Sequence, residues 1–303
     1  MQLLRETNID FIKARWYAIT LSGLIILAGI VSMIVKGGPK YGVDFLGGTV
    51  IQVHFLTPPD LGQVREAVGS AGFADAEIKT FGEKNDILIR VQKQEVGTTA
   101  SDAILNALRQ NFLGNPPEVR LVETVGPKIG KELREAAVWA TLFSLIMILV
   151  YVSFRFEPIF AVGAIVALIH DVLVPLSFFS LLDLEVNLTV VAAFLTIVGY
   201  SINDSIVVMD RIRENRRLMR GIDIEELINK SVNQTLSRTI LTSMTVMLVV
   251  IILFFFGGEV IHNFAFAMVV GTIAGSYSTI FIASPIVVEW EKMRVLKLSR
   301  AKA

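Results

Sequence analysis

The chain has 303 residues, of which 53% are hydrophobic and only 18% charged, with 28 Lys and Arg against 28 Asp and Glu. A mean hydropathy of +0.62 is more apolar surface than one core of this size could bury, so the bilayer has to be counted as part of the solvent. The absence of cysteine excludes disulfide frameworks, thiolate metal sites and thiol nucleophiles, and a net charge of zero argues against a nucleic-acid footprint.

A hydrocarbon core about 30 Å thick needs about 20 apolar residues as helix. The first run of that kind is 17–35. It is longer than a signal-peptide core and no small-residue cleavage site follows before Lys36, so it reads as an uncleaved first span. Residues 1–35 thus form an N-terminal segment and one span.

From 36 to 135 the character changes: charges are frequent, Gly and Pro punctuate the chain, and apolar residues alternate. Alternation over 49–55 predicts a strand, and 61–71 has a helical period after the start signal Thr57-Pro-Pro-Asp60. Strands are predicted at 77–81 and 86–92, joined by the turn-prone Gly82-Glu-Lys-Asn85. A second helix over 101–112 and a last strand over 118–125 complete the order βαββαβ, the ferredoxin-like pattern. Gly47-Gly48 reads as a turn into the first strand.

Five further spans follow in the region 136–303, at 136–154, 158–182, 186–209, 239–258 and 263–288. Segments that satisfy their own backbone in lipid are helices. The fold class is therefore an α-helical membrane protein with six transmembrane helices and a small α+β ferredoxin-like external domain between the first and second. Between spans four and five lies a loop, 210–237, in which 222–232 has the pattern of a short amphipathic helix lying at the interface.

Orientation follows from the cations. The short loops 183–185 and 259–262 carry none, whereas Arg5, Lys13 and Arg15, Arg155, six cations over 211–230 and five over 292–302 lie on the other side. Both termini are thereby expected in the cytoplasm and the insert outside.

An ionisable side chain at a span centre costs at least about 2.5 to 3.5 kcal/mol, so such groups usually face the bundle and often serve ion pathways. Asp171 stands in the third span beside His170, Asp204 in the fourth within Gly199-Tyr-Ser-Ile-Asn-Asp-Ser205, and Arg238 at the mouth of the fifth. Spans four and five are sequential and antiparallel, so Asp204 and Arg238 are expected to pair, and Asn203 adjoins them. Arg238 also suits a plain positive-inside residue, and Asp171 a packing residue held by neighbouring hydroxyls. His170 points about 100° from Asp171 around the helix and reads as a packing residue.

No phosphate-loop motif is present, and Gly42 to Thr49 lacks the lysine and the preceding strand such a loop requires, so no nucleotide hydrolysis is expected. Histidines at 54, 170 and 262 are too scattered for a metal site, and no cofactor is expected. Gly271-x-x-x-Gly275 and Gly199/Ser201 signal close helix packing.

Several segments stand out in order along nearly the whole chain: Tyr41-Gly-Val-Asp-Phe-Leu-Gly-Gly-Thr49, Glu123-Thr-Val-Gly-Pro-Lys-Ile-Gly130, Ala167-Leu-Ile-His-Asp-Val172, Asn233-Gln-Thr-Leu-Ser-Arg-Thr239 and Ile280-Phe-Ile-Ala-Ser-Pro285. The most specific is Gly199-Tyr-Ser-Ile-Asn-Asp-Ser-Ile-Val-Val-Met-Asp-Arg-Ile-Arg-Glu-Asn215. Through these segments the chain resembles the SecF family, the smaller-subunit family of the SecDF accessory complex of bacterial protein export, within the resistance-nodulation-division superfamily. The resemblance implies a subunit of the bacterial inner membrane, driven by the proton motive force, that assists Sec-dependent translocation without hydrolysing nucleotide. It places Asp204 and Arg238 in the proton pathway and implies a SecD-like six-helix partner, the Sec channel and a translocating unfolded polypeptide. A half-size exporter of small molecules or lipids, a non-transporting scaffold for the channel, and Na⁺ in place of H⁺ remain alternatives.

Overall fold

The computed structural model describes residues 7–92, 99–219 and 221–300. Arg5, Arg220 and Lys302, counted above among the cations, lie outside these residues. The first span is α1 (Arg15–Lys36), preceded by a 3₁₀ turn over Ile12–Ala14. Gly37, in the left-handed conformation at φ 78°, ends it. A short helix α2 (Val43–Leu46) then leads into the external domain: β1 (Gly48–His54), α3 (Leu61–Ser70), β2 (Glu77–Phe81), β3 (Glu83–Val91), α4 (Thr99–Asn111) and β4 (Glu118–Val125).

The sheet order is β2-β3-β1-β4 with every neighbouring pair antiparallel, which is the ferredoxin-like arrangement the element order predicted. Asp60 caps α3 by accepting hydrogen bonds from the backbone N–H of Gly62 and Gln63 at 2.6 and 3.2 Å. Ile51, Val53, Phe55, Ile87 and Ile89 pack under Val64, Ile104 and Leu108 of the two helices. On the other face Val50 and Leu88 meet Val43, so the middle of that face is covered as well. β3 starts at Glu83, earlier than the expected 86, because Gly82 at φ 75° makes the turn almost alone.

The glycine pair has a strict backbone role. Gly47 and Gly48 have φ of 77° and 131°, and a Cβ on Gly48 would sit 2.5 Å from the Val91 carbonyl oxygen. Gly48→Ala is expected to destabilise the domain by more than about 1 kcal/mol, from strain and the lost close approach of β1 to β3. Thermal unfolding of the variant beside the parent chain measures it.

Five long helical segments complete the fold: α5 (Pro127–Arg155), α6 (Pro158–Leu181), α7 (Leu188–Leu218), α8 (Ile224–Phe256), and α9 (Glu259–Ser278) continued by α10 (Ser284–Arg300). Among the described residues, six helices are long and apolar enough to cross a membrane. A π-helical turn over Thr279–Ala283 joins α9 to α10. Pro285 has no N–H to donate and crowds the preceding turn, and the helix absorbs the break by widening there.

Two expectations are corrected. Residues 210–237 are not a loop but a helical hairpin, because α7 runs to Leu218 and α8 starts at Ile224. The segment 222–232 is consequently not a separate interfacial helix. It opens α8, capped by Asp223, and no Gly or Pro interrupts the helix before 257. Hydropathy marks where lipid begins, whereas the backbone continues until a breaker stops it.

Small residues set the packing. Gly271 and Gly275 of α9 lie against Ile197 and Ser201 of α7, Gly163 of α6 against the Ala283 carbonyl, and Gly29 of α1 against Ser177 of α6. Among the described residues, nothing lies within 4 Å of where a Cβ on Gly199 would be, and this exposed glycine faces away from the other helices.

The domain is seated on the helix ends by backbone and charge together. Tyr41 pairs with Val186 as a parallel bridge, with Gly42 N–H on Val186 O at 2.9 Å and Val186 N–H on Lys40 O at 2.8 Å. Asp44 accepts the Leu188 N–H at 2.8 Å, capping the start of α7. Arg90 of β3 ion-pairs with Glu185 in the α6–α7 loop, and Lys40 lies 3.6 Å from the same carboxylate.

Candidate functional site

The ionisable groups predicted within the spans are brought to one region where α6, α7, α8 and α9 meet, but not in the pairing expected. Asp204 is 4% exposed and accepts one hydrogen bond, from the Thr239 hydroxyl on α8 at 3.1 Å. Its second carboxyl oxygen, Oδ2, is buried without a hydrogen-bond partner among the described residues. A buried carboxylate oxygen left bare is expensive, and that expense marks groups kept for function.

Arg238 does not close the pair. It is exposed, makes no ion pair within 4 Å of Asp204, and lines a cavity of about 750 Å³ on the side of the chain termini. Asn203, Asp210, Glu214, Gln234 and Thr235 share that lining. The expected Asp204–Arg238 contact is therefore corrected: Asp204 is met by Thr239, and no ion pair joins it to Arg238. The reason is helical phase. Thr239 occupies the buried face of α8 opposite Asp204, and the preceding residue points about 100° away. Asn203 is likewise turned out of the bundle, beside rather than with Asp204.

Asp171 is fully buried and the most heavily bonded acid in the bundle. Its Oδ2 accepts from Ser201 of α7 and, at 2.8 Å, from Ser278 of α9, and its Oδ1 meets Nδ1 of His170 at 3.0 Å. The reading of Asp171 as a residue held by neighbouring hydroxyls matches this geometry. The reading of His170 as a packing residue does not, because Nε2 of the same ring lies 3.0 Å from the Ser22 hydroxyl of α1. Adjacent side chains diverge at Cβ, yet an imidazole and a carboxylate are long enough to meet again. Ser201 and Asp204 are three residues apart on α7, so the two acids stand roughly 4.5 Å apart in height along that helix.

Sequence reasoning missed the hydroxyl partners. Ser205 and Thr279 meet at 3.0 Å, Tyr200 donates to Ser243 at 3.1 Å, and Ser243 meets Ser276 at 2.6 Å. The available signal was Ser276-Tyr-Ser-Thr279, four hydroxyls in succession inside an apolar span. Three of them precede the π turn and the fourth opens it, and such a turn recurs at functional sites.

At the domain side a second polar cluster lies outside the spans. Burial alone would push the Glu185 carboxyl up, but its hydrogen bond and charge contact with Arg90, aided by Lys79 and Lys40, hold it below its ordinary value. Lys40 is raised, the attraction of Glu77, Glu185 and Asp183 outweighing the effect of its burial.

Six apolar helices, a ferredoxin-like domain inserted after the first, and two acids enclosed in the bundle define a multi-pass membrane protein built around buried ionisable groups. Residues 105–293 match the family model described as "Protein export membrane protein SecD/SecF, C-terminal", and residues 31–55 match the "SecD/SecF GG Motif". The chain belongs to the SecF family of protein translocase subunits. It is 43% identical over 301 residues to protein translocase subunit SecF of Thermodesulfovibrio yellowstonii, covering 98% of this chain and 99% of the relative. It is 47% identical to SecF of Magnetococcus marinus over 94% of this chain and 92% of that one. The crystal structure of SecDF, a translocon-associated membrane protein from Thermus thermophilus, superposes with a TM-score of 0.84 at 38% identity. That match covers 95% of this chain and 39% of the SecDF chain.

Proposed function

We propose that this chain is the SecF-type half of a proton-driven accessory complex that assists Sec-dependent translocation across the bacterial inner membrane. The observation that carries the reading is Asp204: an acid enclosed in the bundle, with one bare oxygen, next to a polar cavity opening toward the termini. A proton added to that oxygen removes a buried charge, and its loss restores it. The helices around Asp204 therefore have reason to repack with each exchange. The distribution of cations supports a cytoplasmic side for the termini and the cavity and an outer side for the domain.

H⁺ suits the site better than Na⁺. A hard cation wants several oxygens, and Thr239 is the only group among the described residues hydrogen-bonded to Asp204. No nucleotide hydrolysis and no cofactor enter the cycle, since the membrane field supplies about 2.3 kcal/mol per charge per 100 mV. The partner is a SecD-like six-helix subunit. Thr189, Ala192, Thr196, Gly199 and Asn203 form an exposed stripe on α7, with small residues where a partner helix would approach and an amide within reach of it. Lipid covers the remaining apolar faces, and the Sec channel and the emerging polypeptide meet the complex at the domain side.

The test is export into inverted membrane vesicles lacking the chain, with the chain and its six-span partner resupplied together. Translocation is expected to recover only while the proton gradient stands. Equal recovery after a protonophore collapses the gradient would refute the proton-driven reading.

A further inference from the structure

The hydrogen-bond directions around His170 constrain where protons can be. Tyr277 of α9 donates its hydroxyl to the Ala18 carbonyl of α1 at 2.5 Å, so its oxygen can only accept. Ser22 lies 3.3 Å from that oxygen and 3.0 Å from Nε2 of His170, with one proton to give. When Ser22 donates to Tyr277, Nε2 must carry a proton and donate to Ser22. The dyad of His170 and Asp171 then holds one proton more than a neutral ring beside a carboxylate. When that proton leaves, Nε2 becomes an acceptor, Ser22 turns its hydroxyl to it, and the Ser22–Tyr277 bond is given up. The ring of His170 stacks on Tyr277 with centroids 5.9 Å apart, which fixes its orientation in both arrangements.

We propose that His170 and Asp171 form a second proton-exchange site, separate from Asp204, whose single proton decides whether Ser22 bonds to Tyr277 or to His170. The proton adds to Nε2 and leaves from it, exchanging with water, and no other group changes its charge. The site deepens the proton-coupled reading of Asp204 and rests on it only for what drives the exchange.

The surroundings leave the dyad to itself. Among the described residues, the one ion-pair partner of Asp171 is His170. α1 contributes Ser22, its charges Arg15 and Lys36 standing at its two ends. α7 contributes Ser201 and, one turn on, Asp204. α9 contributes Tyr277 and Ser278. α5 carries no charged residue between Glu135 and Arg155, and the first acid of α10 is Glu289. The device has mechanical reach because α1 is the helix that carries the external domain. Lys36 at its end donates to the Ser180 carbonyl at 2.6 Å and ion-pairs with Asp183 at 3.2 Å, and the bridge of Tyr41 to Val186 follows five residues later. A choice made at Ser22 is thus a choice about how α1 is held between α6 and α9.

The test uses full-length protein in lipid nanodiscs with ¹⁵N-labelled histidine. Substituting His54→Gln and His262→Gln leaves His170 as the only histidine signal. Its ring nitrogens are expected to show a one-proton transition with pH, and the transition should persist in Asp204→Asn. The two readings can therefore fail separately. In Tyr277→Phe, Ser22 loses its other acceptor and stays on Nε2, so the transition should move to more acidic pH by about half to one unit, the equivalent of one modest hydrogen bond. An Nε2 that keeps one protonation state throughout the folded range overturns the proposal. So does a transition that Tyr277→Phe leaves in place or moves the other way.

Discussion

Asp204→Asn should abolish the stimulation of export by the proton gradient while the chain still folds, inserts and joins its partner. The amide has nearly the volume of the carboxyl, and its oxygen can go on accepting the Thr239 hydroxyl at 3.1 Å. What it lacks is an exchangeable proton on the oxygen that is now bare. At about 100 mV one charge crossing the membrane carries about 2.3 kcal/mol, a population shift of about fifty-fold, and this is the most that the variant can lose per proton. Arg238→Gln should act more weakly, because its side chain stands at the cavity wall without an ion pair to Asp204. The measurement is translocation with and without the gradient in vesicles carrying equal amounts of each variant complex. Full gradient stimulation in Asp204→Asn would end the assignment.

Breaking the seat of the external domain should have the largest structural effect. Arg90→Ala leaves Glu185, 8% exposed, without its guanidinium. Losing one member of a buried pair costs about 3 to 5 kcal/mol, and Lys40 at 3.6 Å keeps the expected cost near the lower end. The same contact predicts an acid response. Glu185 titrates below its ordinary value of 4.5 in the seated state, so its contribution is complete above pH 4.5 and is lost as pH falls through the depressed value. Protonation therefore loosens the seat, and alkaline pH up to the range of Lys40 does not. The absence of cysteine lets spin labels be placed at will, one on the exposed edge strand β4 and one at the start of α9. The distance between them should broaden in Arg90→Ala at neutral pH and in the parent chain under acid. Identical narrow distributions in all cases would show that the backbone bridge at Tyr41 and Val186 holds the domain alone.

Much of this architecture is legible in the residues. Two periodicities, alternation in 49–55 and unbroken apolar runs elsewhere, separate the domain from the spans. The cap at Asp60 and the strands 77–81 and 118–125 fall where turn chemistry and alternation put them. Helix ends were less legible. α8 begins 15 residues before the predicted fifth span, since polar residues such as Glu225 and Asn229 leave the hydrophobic stretch without leaving the helix. The N-terminal segment shows why those residues are there: Asn229 and Asn233 bond the backbone of Ile12 and Ile9 at 3.1 and 2.9 Å, straps across more than 200 residues that local sequence does not signal.

The sequence by itself determined which groups would be costly: an acid at 171 and another at 204, each in a run where lipid tolerates none unpaired. Only the tertiary structure decided their partners. Three and four residues along a helix share a face while neighbours do not, so Thr239 rather than Arg238 reaches Asp204. The ring at 170 meets Asp171 while Ser22 and Tyr277, from helices at opposite ends of the chain, hold its other edge and its face. Spacing along one helix fixes direction, and the depth and phase at which separate helices pack fix contact, which no single segment contains.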